Sequence, residues 1–285
     1  MIVVTGATGQ LGRAVVDRLL QRVPAERIGV SVRDPRKAVG LAERGVRVRH
    51  GDLDDAASLV EAFAGAEQVL LVSASTTGEA ALRQHRTAIE AARKADVGRI
   101  VYTSHMGANR VSPFAPMPDH AATEEMLAES GLAFTALRNG FYASSGVMLL
   151  GQALQTGEVA APEDGPVSWT THTDLAEAAA IVLTEQGVDG PTAPLTGATA
   201  LDLAGIAAVA SEVTGRPIRR TVVSDAQYRA DLVAHGVPAP AAEMLVGLFA
   251  ASRNGEFAAV DPTLERLLGR PLLTIRDALT AHSSG

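Results

Sequence analysis

Apolar positions in the first half of the chain follow two periods in turn. Short runs rich in β-branched residues, "IVVTG", "RIGVSVR", "GVRVRHGD", "QVLLVSAS", "RIVYTS" and "AFTALRNG", read as six strands, because such side chains suit a pleated, buried surface. Between them apolar residues recur three and four apart, as at Leu11, Val15, Val16, Leu19 and Leu20, then at Leu59 and Phe63. That spacing places them on one face of a helix. Strands alternating with helices require crossovers, and right-handed crossovers build a mainly parallel sheet covered on both faces. The expected fold class is therefore α/β, a Rossmann-type doubly wound parallel sheet. Ligands of such sheets settle beyond the carboxyl ends of the strands, which points to Gly6, Arg33, Asp52, Ser73, Thr103 and Asn139.

From about Gly140 the alternation loosens into a stretch punctuated by Gly and Pro, and helical periodicity then dominates. "TDLAEAAAIVLTE" reads as a helix with Asp174 as its cap and Glu177 completing a capping box. "ALDLAGIAAVASEVTG", "SDAQYRADLVAHG", "APAAEMLVGLFAAS" and "DPTLERLLG" read as further helices, with Ser224 and Gln227, and Asp261 before Pro262, as starts. The expected division is a Rossmann domain over residues 1–140, onto which 171–197 pack back, and a smaller, mostly helical C-terminal lobe over 141–285. No low-complexity linker separates the two, so the lobe is expected to pack over the carboxyl edge of the sheet and form a cleft there.

Composition narrows the function classes. With 285 residues, 47% of them hydrophobic, the chain has enough apolar material for a sizeable core. A formal net charge of -7 argues against a nucleic-acid partner held by phosphate neutralisation. The basic clusters Arg93, Lys94 and Arg99, and Arg216, Arg219 and Arg220, read as solvated faces. The absence of cysteine removes disulfides, thiolate metal sites and a cysteine nucleophile. No basic n-region precedes the first apolar run, and no stretch reaches the ~18 apolar residues of a membrane span. The expectation is a soluble, cytoplasmic protein with no membrane partner, for which apolar exposure on the later helices leaves a homodimer open.

Gly6, Gly9 and Gly12 form GxxGxxG between the first strand and the first helix. Small residues there let backbone amides approach a pyrophosphate at the positive end of a helix; a purely structural tight turn is the competing reading. An acid about 20 residues further on usually serves the ribose diol of NAD. Here "VRDPRK" supplies Arg33, Arg36 and Lys37 instead, and a guanidinium beside a 2′-phosphate gains charge-assisted hydrogen bonds that a diol would not give. This favours NADP, although the same stretch also fits a solvated turn in which Asp34 serves a diol. In "HGDLDD", Asp52 is placed to accept from an adenine amino group, and helix N-capping by Asp52, Asp54 or Asp55 is the alternative. The candidate cofactor contacts are Gly6, Thr8, Gly9, Gln10, Leu11, Arg33, Lys37, Asp52, Ser73, Ser75, Thr103 and Ser104.

The catalytic centre is defined first by what it lacks. Short-chain dehydrogenases move a proton with a Tyr and a Lys four residues apart, yet the positions four beyond Tyr102, Tyr142 and Tyr228 hold Met106, Gly146 and Leu232. Ser104 ends the fifth strand where that family's serine would stand, and His120 and Glu124 occupy the places of the Tyr and the Lys. There is no GxSxG elbow and no HExxH, and the seven histidines are scattered along the chain, so no metal site is expected.

"GATGQLG", "QHRTAIEAARKADVGRIVYTS", "DHAATEEMLAESGLAFTALRNGFY" and "DPTLERLLGRPLLTI" resemble the NmrA-like atypical short-chain dehydrogenases, above all the bacterial NADPH-dependent quinone oxidoreductases of that group. The resemblance spans nearly the whole length. It implies NADPH along the glycine loop, a C-terminal lobe closing a quinone pocket, and loss of the Tyr–Lys pair. Phe141 stands where the nearest relatives are expected to carry a tryptophan. A quinone accepts hydride readily, so proximity in a dry cleft supplies most of the activation and no alkoxide base is needed. On this reading His105 and His120 are polar groups facing the substrate, Asn139 is a hydrogen-bond donor, and Phe141 and Tyr142 form an apolar wall. Helix capping by His120 and a core role for Phe141 are the alternatives. A rival of another class is a non-catalytic NADP(H)-binding redox sensor of the NmrA type, which the missing pair fits equally well.

Overall fold

The computed structural model describes residues 1–185 and 188–283. All six apolar runs become strands: β1 (Ile2–Thr5), β2 (Ile28–Val32), β3 (Arg47–His50), β4 (Gln68–Leu71), β5 (Arg99–His105) and β6 (Ala133–Asn139). Four short strands follow as β7 (Phe141–Tyr142), β8 (Glu158–Ala161), β9 (Trp169–Thr170) and β10 (Gly190–Pro191), with β11 (Arg219–Val222) near the end. The helices of the first half are α1 (Gln10–Leu19), α2 (Val39–Glu43), α3 (Ala56–Phe63), α4 (Glu79–Lys94) and α5 (Pro116–Glu129). Those of the second half are α6 (Ala143–Leu149), α7 (Ala153–Thr156), α8 (His172–Thr184), α9 (Leu203–Thr214), α10 (Asp225–Ala234), α11 (Ala239–Arg253), α12 (Thr263–Leu268) and α13 (Ile275–Ser283).

The main sheet has the order β3-β2-β1-β4-β5-β6-β10, and every pair in it is parallel. The order reverses between β1 and β4, so the loops after these strands part and leave a crevice. Both faces are covered, which is why β1, β2 and β4 read as unbroken apolar runs rather than alternating ones. On one face Val15, Val16 and Leu19 of α1 meet Leu175 and Ala179 of α8 over Val4 and Val30. On the other, Leu59 and Phe63 of α3 and Ala88 and Ala92 of α4 cover Val3, Val69 and Ile100. Each such side chain taken from water contributes ~1.5–3 kcal/mol. That burial anchors α1, whose first turn has no side-chain cap.

Several elements of the second half return to the sheet. The alanines of α8 let it lie close to α1, β10 adds a strand beside β6, and Leu264 of α12 joins the same core. A separate core, with Phe114, Phe141, Trp169, Ile206, Leu248, Phe249 and Phe257, organises the rest of the lobe. Two parallel pairs, β8 with β11 and β7 with β9, stiffen it; their short, mixed sequences gave no strand signal.

Some local expectations need correction and others hold. Thr171, not Asp174, caps α8: its hydroxyl accepts from the Asp174 amide at 3.2 Å. The Asp174 carboxylate is fully buried and turned away, accepting from the Leu273 amide at 2.8 Å and pairing with Arg270 at 2.8 Å. Asp55 caps α3, and His120 lies inside α5, four residues past its start at Pro116, and caps nothing. Arg99 and Arg220 are not solvated. Arg99 donates to Thr135 Oγ1 at 2.7 Å and pairs with Asp189, while Arg220 donates to the carbonyls of Ala161 and Pro162 and pairs with Asp164. In both cases a strand terminus offers unpaired carbonyls or hydroxyls that a guanidinium satisfies. Ser224 caps α10 through the Gln227 amide, and Asp261 accepts from the Thr263 amide at the start of α12.

Candidate active site

At Gly6 the backbone turns with φ +61°, a conformation that side chains resist. A Cβ on Gly12 would lie 2.4 Å from the Gly6 carbonyl, so the loop and the first turn of α1 touch backbone to backbone. No side chain caps that turn and no acid lies in it, which leaves its amides and positive dipole to an anion. Gly6, Thr8 and Gly9 open a groove of about 600 Å³ that crosses the carboxyl ends of β1, β2, β3 and β4. Gln10 is exposed at the start of α1, whereas Leu11 points into the core.

At the far end of the groove, β2 delivers Arg33 and the following turn delivers Lys37. Asp34 also lines the groove, where it caps its own turn through the Arg36 amide and holds the Arg36 guanidinium at 2.8 and 3.0 Å. This bidentate bond holds the Asp34 carboxyl below its ordinary pKa. Arg33 forms no ion pair among the described residues. Asp52 lines the groove and accepts from the Asp54 amide at 3.1 Å.

Ser73 and Ser75 line the near end. Two threonines hold this loop open: Thr5 Oγ1 accepts from the Val72 amide at 2.9 Å, and Thr103 Oγ1 accepts from the Ser73 amide at 2.8 Å. Thr103 is thus placed behind the groove wall. Ser104 is also turned from the groove, donating to Glu124 at 2.6 Å, and Arg138 binds the same carboxylate at 3.0 and 2.7 Å. Glu124, at the position of the missing lysine, is a buried structural anion.

The fold gathers three histidines that lie far apart in sequence. The Tyr102 hydroxyl is 2.8 Å from His120 Nδ1 and 3.4 Å from Ser73 Oγ, and its ring meets His85 edge-on at 5.3 Å. His105 stacks on His120 with ring centres 6.0 Å apart, and meets Phe141 and Phe257 edge-on at 5.2 and 5.5 Å. Burial among these rings lowers His105 to about 3 and His85 to about 4, and drops His120 well below its ordinary value. Both His105 and His120 keep part of their surface open to solvent. The Gly107 amide donates to His105 Nδ1 at 3.0 Å, so neutral His105 carries its proton on Nε2. The Ala74 amide donates to His85 Nε2 at 2.9 Å in the same way, and His85 Nδ1 meets Thr123 Oγ1 at 2.8 Å.

Asn139 stands opposite His105 across the β5–β6 register, and its side-chain oxygen is buried without a hydrogen-bond partner among the described residues. Such an atom costs energy unless a ligand meets it. Tyr142 stacks on His172 at 4.2 Å, and burial raises its phenol to about 12. Phe141 belongs to the lobe core and also lines a second cavity of about 590 Å³ beneath α6, α10 and α11. His85 and Thr5 escape a motif search, yet His85 falls on the apolar face of α4, three residues from Leu82 and Ala88. A histidine in an apolar stripe was the available signal.

Residues 1–272 match the NmrA-like family. Quinone oxidoreductase 2 of Escherichia coli is 38% identical over 281 residues, covering 98% of each chain. An NAD(P)H azoreductase of Xenophilus azovorans is 32% identical and spans 100% of this chain and 98% of its own. The crystal structure of the NADPH-dependent quinone oxidoreductase QOR2 of Escherichia coli complexed with NADPH superposes with a TM-score of 0.94, at 37% identity and full coverage of both chains. With the glycine turn, the parallel sheet order and a full-length match in agreement, this chain belongs to the NmrA-like family.

Proposed function

We propose that the protein is an NADPH-dependent reductase that passes hydride to a quinone or a similarly activated acceptor without a Tyr–Lys pair. The residues present fit the coenzyme. Uncapped amides at the α1 N-terminus suit the pyrophosphate, Arg33 and Lys37 suit the 2′-phosphate, and the groove between them is open along its length. When bound, NADPH supplies the hydride. What remains for the chain is to hold the acceptor beside it, to exclude water, and to stabilise the oxygen on which charge develops. His105 is suited to the last task as a neutral donor, because the Gly107 amide fixes the proton on Nε2 and burial prevents a second one. Its role is hydrogen-bond donation to the acceptor oxygen, and solvent supplies the proton that completes the hydroquinone. The unpartnered Asn139 oxygen beside it is an acceptor, suited to a donor group on the ligand rather than to the developing charge.

The observation that carries this reading is the state of Glu124. Bound by Ser104 and Arg138, it is unavailable as a proton carrier, so the alcohol chemistry of typical short-chain dehydrogenases has no machinery here while the dinucleotide groove is complete. The name of the Escherichia coli relative supports a quinone as acceptor. The test follows NADPH absorbance on addition of benzoquinones and simple aldehydes, with NADH as control. Consumption with quinones and none with aldehydes is expected. Tight binding of NADPH and NADP⁺ with no turnover on any acceptor would overturn the enzyme and leave a redox sensor.

A further inference from the structure

We infer that the second cavity, behind Phe141, holds the hydrocarbon tail of the acceptor, so that quinones with a long alkyl or isoprenoid substituent are preferred to bare rings. This rests on the quinone-reductase reading above and names the substrate class of that site. A cavity of about 590 Å³ is sized for a ligand much larger than a single quinone ring. Met148, Leu149, Leu150, Leu232, Met244 and Leu248 line it. Unbranched thioethers and leucines adapt to a flexible chain, and Phe114, Phe141 and Tyr228 add apolar ring faces to the same wall.

Two further observations select the occupant. Among the described residues no lysine, arginine or histidine lines the cavity, so nothing there would pair with a buried anionic head group. The one carboxylate at its edge, Glu158, already accepts from Thr221 Oγ1 at 2.5 Å. Continuity with the catalytic side comes from Phe141, which lines the cavity and whose ring centre is 5.2 Å from that of His105. A ring held at His105 would have this apolar space one side chain away, across Phe141, and a ligand with a polar ring and an uncharged tail is the kind that would use both.

The experiment compares 2,3-dimethoxy-5-methyl-1,4-benzoquinone with its 6-decyl derivative at saturating NADPH. The decyl compound is expected to have a kcat/KM at least tenfold higher, mainly through KM. Ser145→Phe and Ala160→Phe, which add bulk to the cavity lining, should return that ratio to about one; reading it within each variant cancels any loss of folded protein. A second readout needs no turnover. Trp169 is the only tryptophan and lies 5.4 Å from Phe141, so a brominated long-chain alcohol should quench its fluorescence more than a brominated short-chain one. Loss of that difference in A160F would accompany loss of the ratio. A ratio near one in the unaltered protein overturns the inference. If no quinone is reduced at all, the reductase reading fails, and quenching decides the cavity alone: equal quenching by both alcohols overturns the apolar-tail site, and selective quenching upholds it.

Discussion

Arg33 stands at the end of β2 with no carboxylate bound to it, while its neighbour Asp34 is held by Arg36. The sequence left Asp34 open as a partner for a ribose diol, because a string of charged residues does not say which pair with one another. With Asp34 bridged to Arg36 and Arg33 left to a phosphate, NADPH should bind at least tenfold tighter than NADH, and Arg33→Ala should erase most of the difference; dissociation constants for both coenzymes check this. At His105 the geometry narrows the chemistry. A histidine near a substrate suggests an acid, yet this ring cannot gain a second proton without losing the Gly107 amide. His105→Ala should cut quinone turnover tenfold or more. The rate should also stay flat between pH 5 and 8, since the ring titrates near 3. A fall in rate with a midpoint near 6.5 would show an imidazolium acid instead.

At the scale of elements, the strands were legible because a sheet buried on both faces leaves long apolar runs, and helices were legible where one apolar stripe met the core. Caps were less so. Asp174 carries every residue-level mark of a helix cap, but the chain after α12 returns to bury its carboxylate, and Thr171 takes the capping role. The contact between the glycine loop and α1 gives a direct test. Gly12→Ala would place a methyl 2.4 Å from the Gly6 carbonyl. Overpacking of this kind costs roughly 1–3 kcal/mol, and moving the helix away also displaces the uncapped amides proposed to meet the pyrophosphate. Denaturant unfolding should show the lower stability, and NADPH affinity should fall more than tenfold.

Over the whole molecule, three histidines from β5, α4 and α5 share one apolar end of the sheet. All three bind protons less readily when folded than the ordinary 6.5. The unfolded chain therefore takes up more protons below that value, and stability rises with pH through this window. For His85 the contribution is complete above about 6.5 and is lost as pH falls toward 4, at up to ~1.4 kcal/mol per pH unit. Unfolding midpoints recorded at pH 7, 6 and 5 should decline in that order. A second tie spans the molecule where Arg270, after α12, pairs with the fully buried Asp174 and with Glu177 of α8. Removing one partner of a buried pair strands the other charge. Because a third of Arg270 is exposed, Arg270→Ala should cost about 2 kcal/mol, measured by denaturant unfolding, with little effect on NADPH affinity.

By itself the sequence determined the parallel sheet, the glycine turn and the absence of a Tyr–Lys pair, because each is written in residues adjacent along the chain or set by a local period. Tertiary structure alone decided that Glu124 is spent on Ser104 and Arg138, that His85, His105 and His120 gather around Tyr102, and that Phe141 lies between His105 and a second cavity. Those facts depend on which side chains meet across the β5–β6 register and between the sheet and the lobe. Contact of that kind fixes protonation and partner choice, and no local pattern encodes it.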